Sequence, residues 1–234
     1  MINIESLRKV NDTNRLVFNS NLSFEIEKND DNSSLDFDFD FIAQYRSVDK
    51  KNSFYFIGNT SHEKTNNIEI SNSGMGHLRY NRHFNDLVRG EIFFQMQTDI
   101  VLDLKSRTLF GTGPRFDLLR KRKLKLSLGS IYMLERERLI KDISHNVIYS
   151  RWSSYLTIFY YFPEKKGKFS TVTYLQPRFD KFEDYRFVNL SELSLNMNSK
   201  LALMIKMEYE FDAAPPKGIN QKNMDFKVGL KVIL

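Results

Sequence analysis

The chain has 234 residues, 41% hydrophobic and 27% charged, with a mean hydropathy of -0.45; no apolar run reaches the roughly 18 to 20 residues of a membrane-spanning helix, which excludes a helical membrane protein. The absence of cysteine removes disulfides, thiol nucleophiles and thiolate metal centres, and only 10 Gly and 5 Pro leave no room for collagen-like or disordered classes. A net charge of +6 would suit nucleic acid if the basic residues formed a stripe, but they interleave with Asp and Glu, and the one dense run, Arg120 to Lys123, lies in a connection too small to read a groove.

The opening Met1-Ile2-Asn3-Ile4-Glu5 lacks the basic and apolar regions of a signal peptide, so the chain reads either as cytoplasmic or as a mature form with an added start Met, from which such a peptide has been removed. Residues 1–13 show no alternation and stand apart as an N-terminal segment. From Leu16 onward the period is two. Leu22/Phe24/Ile26 alternate with Ser23/Glu25/Glu27, and Leu35 to Phe41 is apolar at every odd position and acidic at every even one. Val88/Ile92/Phe94/Met96 alternate with Arg89/Glu91/Gln95/Gln97, and Leu124/Leu126/Leu128/Tyr132/Leu134 with Lys125/Ser127/Glu135. Trp152/Leu156/Ile158/Tyr160/Phe162 follow against Arg151/Ser153/Tyr155/Thr157, and Leu201 to Phe211 carries Lys206/Glu208/Glu210 on its other face. Met224/Phe226/Val228/Leu230 close the chain against Asp225/Lys227.

About twelve such segments fit the length, many of them about 10 residues or longer, which suits a strand tilted across a bilayer better than a soluble sheet. Strand after strand has one greasy face and one charged face. The expected fold is therefore all-β: one closed up-and-down antiparallel transmembrane β-barrel of about 12 strands, a single domain over 1–234 with the barrel at 16–234. Its lipid-facing set is Val88, Ile92, Phe94, Leu126, Leu128, Leu156, Ile158, Leu203, Ile205, Phe226 and Val228. Tyr45, Tyr80, Tyr132, Tyr160, Phe162, Tyr209 and Phe211 suit interfacial aromatic girdles. With the N-terminus in the periplasm, the periplasmic links are short, for example Asn81 to Asp86 and Leu119 to Lys123. The outer links are longer: Gly58 to Asn67, Thr98 to Lys105, Arg136 to Asn146, Phe179 to Arg186 and Asp212 to Asn223.

Met75-Gly76-His77-Leu78-Arg79-Tyr80-Asn81, Glu91-x-Phe93-x-Gln95, Arg107-x-Leu109-x-Gly111-x-Gly113-x-Arg115 and Leu134-Glu135-x-Glu137 follow one another at hairpin spacing. This series resembles the salt-stress-induced outer-membrane protein family, a domain of unknown function in Gram-negative bacteria, in its Bacteroidetes form. Asn3-Ile4-Glu5-Ser6-Leu7-Arg8 resembles the start of the mature domain. The resemblance implies an outer-membrane barrel with no settled activity; the chain departs from many such barrels in ending on Leu234 rather than an aromatic residue.

Reflecting positions about each turn places Arg107 opposite Glu135, Gln95 opposite Arg107 and Gly113 opposite Gly129, with Arg151 and Arg178 close by. On the closing side Glu192 meets Lys206 and Glu208 meets Lys227. These define an expected lumen network of Gln95, Arg107, Glu135, Arg151, Arg178, Glu192, Lys206, Glu208 and Lys227, to which His77 facing Glu91 is added. It is either a charged constriction or a brace that fills a narrow barrel, and the filled lumen is favoured because small barrels are commonly filled. By the same reading Arg186 is an exposed loop residue, and Gly111 and Gly113 relieve crowding. Ser127, Ser153 and Ser170 have no recognisable triad partners, so no catalytic residue is assigned. No cofactor is expected and the metal question stays open: Asp36, Asp38 and Asp40, with Asp30 and Asp31 nearby, form either an oxygen-rich cation site or a solvated strand face.

The functional expectation is a non-enzymatic outer-membrane protein, either a narrow channel or a structural subunit of an envelope assembly. Its partners would be outer-membrane lipid and another envelope protein, with no nucleic acid. A soluble lipocalin-like barrel holding an apolar ligand, or an outer-membrane lipid hydrolase, are the competing classes.

Overall fold

The computed structural model describes residues 15–29, 33–66, 68–198 and 200–232, apart from the side chains of residues 165, 231 and 232. The N-terminal segment 1–13, Asp30, Asp31 and Leu234 lie outside the described residues. The strands are β1 (Leu16–Lys28), β2 (Ser33–Arg46), β3 (Asn52–Thr65), β4 (Ile68–His83), β5 (Val88–Asp99), β6 (Leu104–Arg120), β7 (Leu124–Leu139), β8 (Asn146–Tyr161), β9 (Gly167–Pro177), β10 (Tyr185–Asn196), β11 (Leu201–Asp212) and β12 (Lys222–Val232). They form one sheet in chain order, each antiparallel to the next. The sheet curls around a lumen: a single cavity is lined from every strand except β8, and Asp40 of β2 lies within electrostatic reach of Lys206 and Lys227 of β11 and β12. The seam falls between β1 and β12.

The barrel is inside-out relative to a soluble fold. Along β7 every odd residue from Ser127 to Leu139 is buried and every even one from Tyr132 onward is exposed. Glu135 is 0% exposed while Trp152, on the opposite face of β8, is 42% exposed. Of the expected lipid-facing set, Ile92, Phe94, Leu128, Leu156, Phe226 and Val228 are exposed, and Val88, Leu126, Ile158, Leu203 and Ile205 partly so. Polar atoms on this face satisfy one another: Trp152 Nε1 donates to Ser130 Oγ at 2.9 Å, and Tyr132 Oη meets Ser150 Oγ at 2.9 Å. Such pairing is what an apolar surround requires of a hydroxyl or indole. Ring contacts gather in two bands, Tyr45–Phe54–Tyr80 and Tyr160–Phe162 toward one end, Tyr185–Phe211 and Phe187–Tyr209 toward the other.

Links at the end carrying the first strand's start are tight, and we call it the turn end; the opposite end carries the longer 140–145, 178–184 and 213–221 and is the loop end. One expected loop is corrected. Gly58 to Asn67 is mostly strand, because β3 continues to Thr65 and turns at Asn66. Its Asn, Ser, Glu and Lys residues show no alternation since both faces are wet where the hairpin rises beyond the apolar band.

Candidate functional site: the barrel lumen

The inward face carries three layers. At the loop end β6, β8 and β10 bring three arginines, Arg107, Arg151 and Arg186, onto the buried carboxylates of β7. Glu135 binds Arg107 Nε at 2.9 Å and Arg151 Nε at 2.7 Å, and also accepts from Arg186. Glu137 binds Arg107 and Arg186 at 2.7 and 3.0 Å, and Asp212 takes Arg186 Nε at 2.8 Å. Arg151 continues to Asp184 at 3.0 Å and donates to the carbonyls of Gln176 and Asp184. Arg178, in the loop after β9, bridges Asp184 and Asp180 and lies 4.0 Å over the Tyr149 ring. Its guanidinium holds the Asp180 carboxyl below the usual range. Buried charges survive only when paired and hydrogen-bonded, and here each has at least two partners.

The middle layer is apolar: Phe93, Leu109, Ile131, Met133, Tyr155, Val172, Tyr174, Val188 and Leu190 form one buried cluster inside the barrel. Glycine makes room for it. A Cβ on Gly129 would stand 2.1 Å from the Tyr155 ring, and one on Gly111 2.3 Å from Phe93, so these rings lie flat across bare backbone. Gly113 is held differently, with a Cβ there meeting the Ser130 carbonyl at 2.2 Å. Toward the turn end a second charged layer follows. Arg79 reaches Glu91 at 3.5 Å, Arg115 reaches Asp117 at 3.3 Å, Arg89 reaches Asp117 at 2.8 Å, and the Tyr155 hydroxyl donates to Glu91.

These layers fill the side of the lumen formed by β4 to β10. Among the described residues no such layer fills the other side, that of β11, β12, β1 and β2. A cavity of about 710 Å³ runs there from mid-barrel to the loop end, with Asn21, Asp40, Glu192, Lys206 and Glu208 on its walls and Ile57, Val188 and Leu190 among its apolar contacts. Every described side chain of β12 is exposed.

The sequence-derived pairs are placed as follows. Arg107 stands opposite Glu137 and binds both Glu137 and Glu135, whose own backbone partner is Leu109. Gln97, not Gln95, is opposite Arg107; Gln95 pairs with His77, whose Nδ1 meets Gln95 Oε1 at 2.9 Å. His77 therefore does not face Glu91, which pairs with Asn81. Arg115, not Gly113, is opposite Gly129. Arg151 faces Arg178 across an isolated bridge, the two guanidiniums sharing Asp184. Glu192 is opposite Lys206, yet its ion pair is with Lys168 at 3.3 Å. Glu208 is opposite Asp225, and Lys227 opposite Lys206, so the expected Glu208–Lys227 opposition is corrected to two like-charge pairs. Arg186 is no exposed loop residue but a half-buried member of the loop-end cluster. Alternation signals it, since Arg186, Val188, Leu190 and Glu192 share one face of β10, with Asp212 of β11 directly opposite Arg186. Among the described residues no group of His, Asp and Glu is arranged to hold a metal ion.

A family model described as "Protein of unknown function, DUF481" matches residues 14–232. No curated protein matches the sequence. Among solved structures, one titled "NanC porin structure in rhombohedral crystal form" aligns over 91% of this chain and 100% of its own, at 11% identity and a TM-score of 0.50. A structure titled "KdgM porin" aligns over 94% and 99% at 12% identity and 0.46, and "KdgM porin in complex with disordered oligogalacturonate" over 92% and 99% at 11% and 0.44. The first of these supports a porin-like barrel fold.

Proposed function

The chain belongs to the DUF481 family of proteins of unknown function, and on that premise we propose that it is a narrow, non-enzymatic channel in the outer membrane of a Gram-negative bacterium. The observation that carries this reading is the half-open lumen: a cavity of about 710 Å³ whose wall sets charged side chains among apolar ones, beside a packed half that fixes its shape. A purely structural barrel has no need to leave one side wet. A lipocalin-like function would call for a soluble shell, whereas the outer surface here is apolar and Asp40, Glu192 and Glu208 stand among the apolar residues of the cavity wall. Against lipid hydrolysis, Ser127 is bonded to Asp117 at 2.8 Å and Ser153 accepts from Gln176 at 2.7 Å, so neither is poised against a histidine. The salt-stress-induced, Bacteroidetes-type label belongs to this reading and is supported by the residue series from Met75 to Glu137. Outer-membrane lipid is the surround, and single-domain organisation is supported by the uninterrupted sheet.

The test is a single-channel recording on the refolded protein in a planar bilayer. Small, discrete conductance steps are expected, well below those of a barrel with an unfilled lumen. A folded barrel that never conducts would remove the channel reading and leave the envelope-subunit one.

A further inference from the structure

The open half of the lumen is not electrically neutral. Two basic side chains on the cavity wall, Arg107 and Arg186, are already committed to Glu135, Glu137 and Asp212. Among the described residues that line the cavity, Lys206 is the other basic one, against Asp40, Asp99, Glu192, Glu208 and Glu210. Lys227 stands opposite Lys206, and Lys168 is taken by Glu192.

Strand register shows how the acids are set. Glu208 is directly opposite Asp225 on β12, and Glu25 is directly opposite Asp36 on β2, with Asp38 and Asp40 continuing inward along the same strand. Like charges face to face on neighbouring strands are destabilising, so they persist only where water or a mobile counter-ion screens them. The packed half shows the opposite habit, with every carboxylate of its loop-end cluster on an arginine. A narrow cleft whose walls carry an excess of one sign of charge beside low-dielectric packing concentrates ions of the other sign.

We propose that the passage selects for cations, both small inorganic ones and amine-bearing solutes, over anions. This rests on the channel reading and adds a substrate class to it. The selectivity is a property of the wall as a whole and needs no fixed ion site. The Lys206–Lys227 pair, halfway along β11, works against it and tunes its strength.

The experiment is the reversal potential of the channel under a KCl gradient. The expected permeability ratio of K⁺ over Cl⁻ is above about three, falling toward one in the E208Q/D225N double variant and rising in K206Q/K227Q. The two variants shift in opposite directions, so a general loss of folding cannot imitate the result, and heat-shifted gel mobility confirms that each barrel is formed. Conductance with no preference, or with preference for Cl⁻, overturns the cation assignment and leaves the channel standing. Absence of any conductance in the folded protein overturns the channel and the assignment with it.

Discussion

The two halves of the lumen obey different rules. Between β4 and β10, Arg107, Arg151 and Arg186 converge on Glu135 and Glu137, and Tyr155 and Phe93 lie over glycines, so this half is packed like the interior of a soluble protein. Across the barrel, β11, β12, β1 and β2 present the same residue types in the same alternation, yet Glu208 faces Asp225 and Lys206 faces Lys227. The lesson is that composition does not decide whether a barrel is filled. What decides it is whether the register brings opposite charges, or a ring and a glycine, onto neighbouring strands.

The sharpest way to break this contrast is to neutralise one carboxylate on each side. Glu135→Gln leaves three buried guanidiniums short of a counter-charge and should cost about 3 to 5 kcal/mol, read as a large drop in the thermal midpoint in detergent. Glu208→Gln removes a charge that faces another acid, and its midpoint should stay level or rise slightly. Equal losses would mean that the halves are not distinct. A second test addresses the outer wall: Phe94→Arg or Leu128→Arg should cost about 2 to 4 kcal/mol in reversible folding into vesicles, the amount expected of a cation near the bilayer midplane. A cost near zero would argue that this face is not in lipid.

Glycine offers a smaller probe of the same divide. Gly113→Ala would drive a methyl into the Ser130 carbonyl and should destabilise by about 1 to 3 kcal/mol, whereas Gly229 on β12 has open space around it and Gly229→Ala should be neutral. Urea midpoints for the pair would show it. The smallest expected effect lies in the β2–β3 turn, where the Ser47 hydroxyl and the Lys51 amide hold the Asp49 carboxyl below its ordinary value. Because the shift is downward, its contribution is complete above the unfolded carboxyl pKa of about 3.9 and fades as pH falls through the lower folded value. Ser47→Ala should raise the Asp49 titration midpoint, measured by NMR in micelles, and lower stability slightly at neutral pH, a loss that vanishes as pH falls below the folded value.

Much of this was legible in the residues. Leu35 to Phe41 declares a two-faced strand without ambiguity, and the count of such segments leads to a twelve-stranded barrel. Register was not legible to better than about two residues. β6 carries irregularities between Leu104 and Ser106 and between Asp117 and Leu119, and each displaces the pairs that lie beyond it from the 121–123 turn. Reflection about Lys121 puts Arg107 opposite Glu135, whereas Arg120 pairs with Lys125 and the turn is centred between Arg122 and Lys123; a separate offset, in the 213–221 connection, hides the Glu208–Asp225 opposition. The apolar layer was missed for a different reason: Phe93, Tyr155 and Val172 occupy the face shared with Glu91, Arg151 and Ser170, and period-two alternation assigns a face as a whole, not the residues that fill it. Arg186 was misread because its place at the start of β10 borders a polar loop.

The half-filled lumen is tested most directly by labelling, for which a chain without cysteine is well suited. Single cysteines at Asp38 and Asp225 on the open wall, and at Ser153 and Val172 on the packed wall, would be exposed to a membrane-impermeant, water-soluble maleimide in the folded barrel and again after denaturation. Asp38→Cys and Asp225→Cys should react fast when folded, Ser153→Cys and Val172→Cys only once unfolded. Comparable rates at all four positions in the folded protein would contradict the division of the lumen.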